Sequence, residues 1–243
     1  MLFRSVGPNG GWFLARYWMP TVIEAPVTGP GPVLITRQSD AVTFSNPAND
    51  YAGDTVLGAD GVGFWNDVNA RGVLRLGADE VVPHGAGKGR LSFDGFRRGI
   101  LDLNGKTETV NTLAELGGLC LSNSAALPGV LRAGYDDGDL TVAGEIQRGA
   151  TLDKIGAGTL YFSDNGRSRG GLSVSEGTLV FSRASALGEL TVRLDGGGLA
   201  MTDTQPGLAE SVAGLSGSAI NLSVPMAESG VSRGTVKGFA GAN

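Results

Sequence analysis

The chain has 243 residues, 41% of them hydrophobic and 18% charged, which supplies a core and argues against a disordered chain. With 19 Lys and Arg against 24 Asp and Glu, its net charge of −5 lacks the basic excess of a nucleic-acid binder. Glycine stands out at 41 residues; the absence of a G-X-Y period excludes collagen, and long helices are disfavoured because each interior glycine costs about 1 kcal/mol.

The start, Met1-Leu2-Phe3-Arg4-Ser5, is only superficially like a secretory leader. The apolar run Trp12-Phe13-Leu14-Ala15 is cut short by Arg16. Nothing approaches 18 consecutive apolar residues, so no membrane span is expected. Residues 1–32, with their Pro/Gly stretch from Pro26 to Pro32, read as an irregular connector. From residue 33 to 225 short apolar and β-branched runs follow one another, each bounded by Gly, Asn, Asp or Pro. They are Val42-Thr43-Phe44-Ser45, Val73-Leu74-Arg75-Leu76, Leu91-Ser92-Phe93-Asp94, Ile100-Leu101-Asp102-Leu103, Thr159-Leu160-Tyr161-Phe162, Thr178-Leu179-Val180-Phe181 and Leu190-Thr191-Val192-Arg193-Leu194. Most alternate with period two, the mark of strands, and none keeps a helical period. Residues 226–243 read as a second connector.

Strand spacing alone also suits a sandwich or barrel; an internal repeat decides for stacking. Copy one, about 41–118, aligns with copy two, about 159–217. Thr43-Phe44-Ser45 meets Tyr161-Phe162-Ser163, and Gly72-Val73-Leu74 meets Gly177-Thr178-Leu179. Extra residues in copy one fall near 59–71 and 83–90. Each strand-turn unit is half buried alone, and stacking buries one continuous column while pairing the backbone above and below. Glycine corners permit positive φ, and the neighbouring Asn and Asp tolerate it. The expected fold is an all-β, right-handed parallel β-helix of short strands with Gly-rich turns, read as part of a longer solenoid with flanking repeats of the same parent protein.

The run Lys154-Ile155-Gly156-Ala157-Gly158-Thr159-Leu160-Tyr161-Phe162-Ser163 resembles the K-x-G-x-G-T-L-x-L-S signature of the autotransporter-associated β-strand repeat, also called the passenger-associated transport repeat. The signature's Gly-Gly strand and second G-T-L are matched by Gly170-Gly171-Leu172-Ser173-Val174 and Gly177-Thr178-Leu179. In copy one Thr36-Arg37-Gln38-Ser39-Asp40-Ala41-Val42 replaces the glycines. The resemblance implies a β-helix in a bacterial surface or secreted passenger protein, and it implies no catalytic residues.

Candidate chemistry is sparse. The only histidine, His84, precedes Gly85-Ala86-Gly87-Lys88-Gly89, but Val82 and Gly89 stand where a phosphate loop needs Gly and Ser/Thr. Asp136-Asp137-Gly138-Asp139 is the densest acidic cluster, yet no calcium nonapeptide recurs around it, and a plain turn is the stronger reading over a single Ca²⁺ site near Asp136. Asp94, Asp102 and Asp195 are the carboxylates that a polysaccharide-cleaving β-helix would need on neighbouring coils, although exposed aspartates on strands are ordinary solubility chemistry. Cys120, the single cysteine, lies between leucines and reads as a core residue. Trp65, in the insertion 59–71 beside Asn66 and Asp67, is the one ligand-binding candidate: its ring suits a sugar face, against the reading that it anchors the loop.

The expectation is therefore a structural, adhesin-like passenger segment at the cell surface or outside the cell. It has no catalytic residue, cofactor or metal. Its partners are an extracellular polysaccharide, a host or neighbouring cell surface, and flanking repeats, not nucleic acid. The alternative is a carbohydrate-binding or polysaccharide-degrading β-helix.

Overall fold

The computed structural model describes residues 5–15, 19–37, 40–58, 72–93, 99–115, 119–163, 167–181, 190–201 and 215–216. In chain order the strands are β1 (Gly11–Ala15), β2 (Thr21–Ile23), β3 (Thr28–Gly29), β4 (Val33–Arg37), β5 (Val42–Phe44), β6 (Asp50–Tyr51), β7 (Thr55–Leu57) and β8 (Val73–Leu76). They continue with β9 (Leu91–Phe93), β10 (Gly99–Asp102), β11 (Thr107–Val110), β12 (Leu113–Glu115), β13 (Leu119–Ser122), β14 (Gly129–Ala133), β15 (Leu140–Val142) and β16 (Glu145–Ile146). The last are β17 (Ala150–Lys154), β18 (Thr159–Phe162), β19 (Gly171–Val174), β20 (Thr178–Phe181), β21 (Thr191–Leu194), β22 (Gly198–Met201) and β23 (Leu215–Ser216). Among the described residues there is no helix.

The chain winds as a parallel β-solenoid with three faces. One face carries β1-β4-β7-β9-β12, with β15 packed beside β12 to begin a second sheet, β15-β18-β20-β22. The second face is β2-β5-β8-β10-β13-β16. The third holds the short pair β3-β6 and then β11-β14-β17-β19-β21-β23. Pairings between neighbouring coils run parallel, as in Leu131↔Leu152, Leu152↔Leu172 and Leu172↔Val192.

Parallel register places like residues above one another, and the inward positions form apolar columns. Phe13, Ile35, Leu57 and Phe93 make one on the first face. Val42, Leu74, Leu101, Leu121 and Ile146 make another on the second. On the third, Leu131 is followed by Leu152, Leu172 and Val192. All are nearly inaccessible to solvent. Burying each such side chain stabilises the fold by about 1.5–3 kcal/mol. Phe13 and Phe44 meet edge to face with ring centroids 5.4 Å apart, joining the first two faces.

Two expectations change in detail. Residues 1–32 were expected to be a connector, yet β1, β2 and β3 stack in register on β4, β5 and β6, so Gly11 to Gly29 supply a full coil. The run Trp12-Phe13-Leu14-Ala15 is visible in the sequence, but only its pairing with β4 marks it as a strand. The repeating unit also differs from two long copies set about 100 residues apart: Thr151, Gly171 and Thr191 are in register at intervals of 20 residues. The copy alignment matched β8 on the second face with β20 on the first. Strands from different faces share one apolar alternation, so sequence alone does not distinguish them. Where extra residues were expected the register does widen, with Val42 pairing Leu74 and Thr55 pairing Leu91.

Candidate functional site

The residues of the signature run form a corner between the third and first faces. Gly156 and Gly177 have φ of 72° and 73°, where a side chain is strained. A Cβ on Gly156 would lie 2.1 Å from the Gly134 carbonyl oxygen, and one on Gly177 would lie 2.2 Å from that of Gly158. Only glycine lets successive corners approach this closely, so the corner is a column of backbone on backbone.

Lys154 stands at the head of this corner. Period two along β17 puts it on the same side as Ala150 and Leu152, and register places it in the column Ala133–Lys154–Val174–Leu194. It is fully buried. Its Nζ donates to the carbonyls of Ile155, at 2.5 Å, and Gly156, at 2.7 Å. Burial pushes its pKa down, and the carboxylates of Asp137, Glu176, Asp139 and Asp136 oppose that shift. The ammonium thus satisfies corner carbonyls that the turn leaves without a ladder partner.

The acidic cluster lies on the outer side of the same corner. Asp137 Oδ1 accepts from the Ala157 N–H at 2.8 Å, and Asp139 Oδ1 accepts from that of Thr159 at 2.7 Å. Asp136 accepts from the Thr112 hydroxyl at 2.6 Å. These carboxylates clip one coil to its neighbours. Among the described residues no group of three His, Cys, Asp or Glu side chains is arranged to hold a metal ion.

The carboxylates considered for catalysis are also engaged. Asp102 accepts from Arg75 Nε and the Ser124 hydroxyl, each at 2.8 Å, and from the Ser124 and Asn104 amides at 2.9 and 3.1 Å. Burial would raise its pKa, but the bonds from Arg75 and Ser124 outweigh it and hold the carboxyl below its ordinary value. Asp195 pairs with Arg193 Nε at 2.6 Å and accepts from the Ser173 hydroxyl at 3.2 Å. Asp94 and Trp65 lie outside the described residues. Cys120 is buried in β13, in register with Ile100 and Glu145.

His84 sits in residues 83–90, which lead to strand β9 rather than to a phosphate-binding helix. Its ring meets Tyr135 edge to face at 5.0 Å, and its Nδ1 is 3.7 Å from Glu80 Oε2. Glu108 is the buried group that motif reading missed. It heads the inward column above Leu131 and accepts from the N–H groups of Val81, at 2.9 Å, and Val82, at 3.1 Å. Burial, with Glu80 and Asp79 nearby, raises its pKa well above that of an ordinary glutamate despite those two bonds. Alternation in Thr107-Glu108-Thr109-Val110 was the available signal: Glu108 and the buried Val110 share a side of the strand.

Two comparisons, with curated proteins and with solved structures, find no match to this chain. A family model does match: residues 152–181 fit the passenger-associated-transport-repeat. The match begins in β17, takes in Lys154 and the glycine corner, and ends on β20. The chain therefore carries a passenger-associated-transport-repeat, and that repeat is built into a parallel β-solenoid.

Proposed function

We propose that this chain is a structural, adhesin-like segment of an autotransporter passenger, displayed on or released from a bacterial surface, and that it performs no catalysis. The observation that carries this reading is the repeat at residues 152–181, whose signature lysine and glycines build the coil corner itself. The described carboxylates singled out above support it, since each accepts hydrogen bonds that tie the solenoid together. A stiff rod of stacked coils suits the task of holding a binding surface away from the cell.

The test is adhesion and turnover measured on the same protein. Display of the chain on a non-adherent bacterium should increase attachment to cells or immobilised polysaccharide, and purified chain should release no reducing ends from a polysaccharide panel. Steady release of oligosaccharide would overturn the reading. Loss of attachment in Trp65→Ala would place the contact on the 59–71 insertion.

A further inference from the structure

The three faces of the solenoid differ in what they show to solvent. Outward positions of the third face carry Arg132, Asp153 and Arg193. Those of the second carry Arg75 and Asp102, which pair at 2.8 Å across neighbouring coils. On the first face, the positions that alternate with the buried ones carry no charged side chain among the described residues. There Trp12, Leu34 and Val56 stand one above another at the start of the face, and Thr141, Tyr161 and Val180 do so further along. Trp12, Leu14 and Tyr161, all exposed large apolar side chains, lie on this face. A single exposed apolar residue is ordinary. A whole face without charge, in a chain where 18% of residues are charged, is not.

We infer that the outer side of the first face is a binding strip for a neutral polysaccharide, with Tyr161 and the hydroxyls of Thr141, Thr159 and Thr178 as one sugar subsite. Register sets Thr141 and Val180 on either side of Tyr161, and Thr159 opposite Thr178. Neighbouring strands lie about 4.8 Å apart and outward residues of one strand about 7 Å apart, so these side chains share a patch the size of a pyranose ring. The Tyr161 ring is 46% exposed. Among the described residues no hydrogen bond takes up the three threonine hydroxyls. An aromatic face offers an apolar platform to the C–H side of a sugar, and threonine hydroxyls both donate to and accept from its hydroxyls.

Size and chemistry choose the occupant. The face is built of a 5-stranded and a 4-stranded sheet. With four-residue strands, such a strip is about 13 Å wide and about 40 Å long, or about 500 Å². Each partner in a stable protein pair contributes about 800 Å², so a second copy gains too little here, while a linear polymer one sugar wide fits. An extended peptide joins a sheet through an open backbone edge. The inner strands of this face bond a neighbour on both sides and present only side chains. A charged polymer or an anionic lipid surface would find no counter-charge on it. This inference rests on the reading of the chain as an adhesin, and it names the class of ligand.

Affinity electrophoresis of the purified full chain, in native gels holding a neutral β-glucan, a neutral mannan or anionic alginate, tests this. A neutral polymer should retard the chain and alginate should not. Tyr161→Ala should weaken binding about tenfold. Thr178→Asp, which puts a charge on the strip, should weaken it at least as much. Thr191→Asp puts the same charge on an exposed position of the third face and should bind like the native chain. Four results would overturn the strip: no retardation by either neutral polymer, undiminished binding by Tyr161→Ala, equal losses in the two aspartate variants, or capture by neutral phosphatidylcholine vesicles in place of sugar. Attachment by the displayed chain that persists without polysaccharide binding would overturn the strip and leave the adhesin reading standing. Absence of both would overturn both.

Discussion

The coils before and after residue 129 are held together differently. After it, register advances almost uniformly: Leu140, Leu160 and Leu179 stack on the first face while Leu152, Leu172 and Val192 stack on the third. Corners there are glycine against glycine, with Lys154 closing the carbonyls. Before it the register jumps, as from Thr55 to Leu91, and among the described residues no strand spans the third face between β6 and β11. There Asn49, Asp79, Glu80, Glu108 and Asn111 replace the missing ladder with side-chain oxygens and amides. Constant coil length lets the backbone satisfy itself, whereas variable length leaves donors and acceptors that only long polar side chains reach. The second solution brings titratable groups into the seam; in the regular coils the comparable buried charge is Lys154.

The sharpest way to break this contrast is to put a side chain on a regular corner. Gly156→Val, with its Cβ against a backbone oxygen and φ at 72°, should cost about 3–5 kcal/mol. Gly87→Ala in the irregular region has a similar φ of 76° but open space, and should cost about 1 kcal/mol. Urea unfolding of both variants measures the difference, and equal losses would deny that corner stacking is special. Next, Lys154→Ala should cost about 3 kcal/mol, from a cavity plus carbonyls left without a donor, while Lys154→Met should cost about half as much because it refills the space. Exchange of the amides around residues 155–158 should report the same order.

Smaller effects come from the carboxylates. The lowered pKa of Asp102 means that its stabilisation is present above the ordinary aspartate value and is lost as pH falls through the folded value. Asp102→Asn should cost about 2 kcal/mol near neutrality and flatten the acid limb of a pH-dependent melting curve. Burial raises the Glu108 pKa, the opposite sign, so acid titration of Asp102→Asn and of Glu108→Gln should separate two slopes within one region. Least of all, Asp195→Asn removes an ion pair whose arginine is largely exposed and should cost under about 0.5 kcal/mol, within the scatter of thermal melts.

Much of the architecture was legible from short patterns. Alternation in Leu172-Ser173-Val174 or Val192-Arg193-Leu194 requires one wet and one dry side, and frequent glycine leaves no long helix. Coil length was harder to read, because strands of all three faces share that pattern and only pairing separates them. Glu108 and Lys154 were each visible as an inward position of an alternating strand, but a charged residue there reads as an exception until its partners are known. Those partners, Val81 and Val82 for Glu108 and the Ile155 and Gly156 carbonyls for Lys154, lie on turns whose path has no local period.

Local chemistry therefore decided that this chain would make short strands with glycine turns and that residues 152–181 would carry the repeat signature, because alternation and positive φ are properties of neighbouring residues. Stacking decided the rest. It set the length of each coil and the face to which each strand belongs. It turned an acidic turn into clips between coils, and it left one glutamate, Glu108, facing the lumen and bonded to the Val81 and Val82 amides of a segment, 79–88, that forms no strand. Those outcomes depend on which backbone groups lie opposite one another across about 20 or more residues of chain, and pairing at that separation is settled only when the coils close on each other.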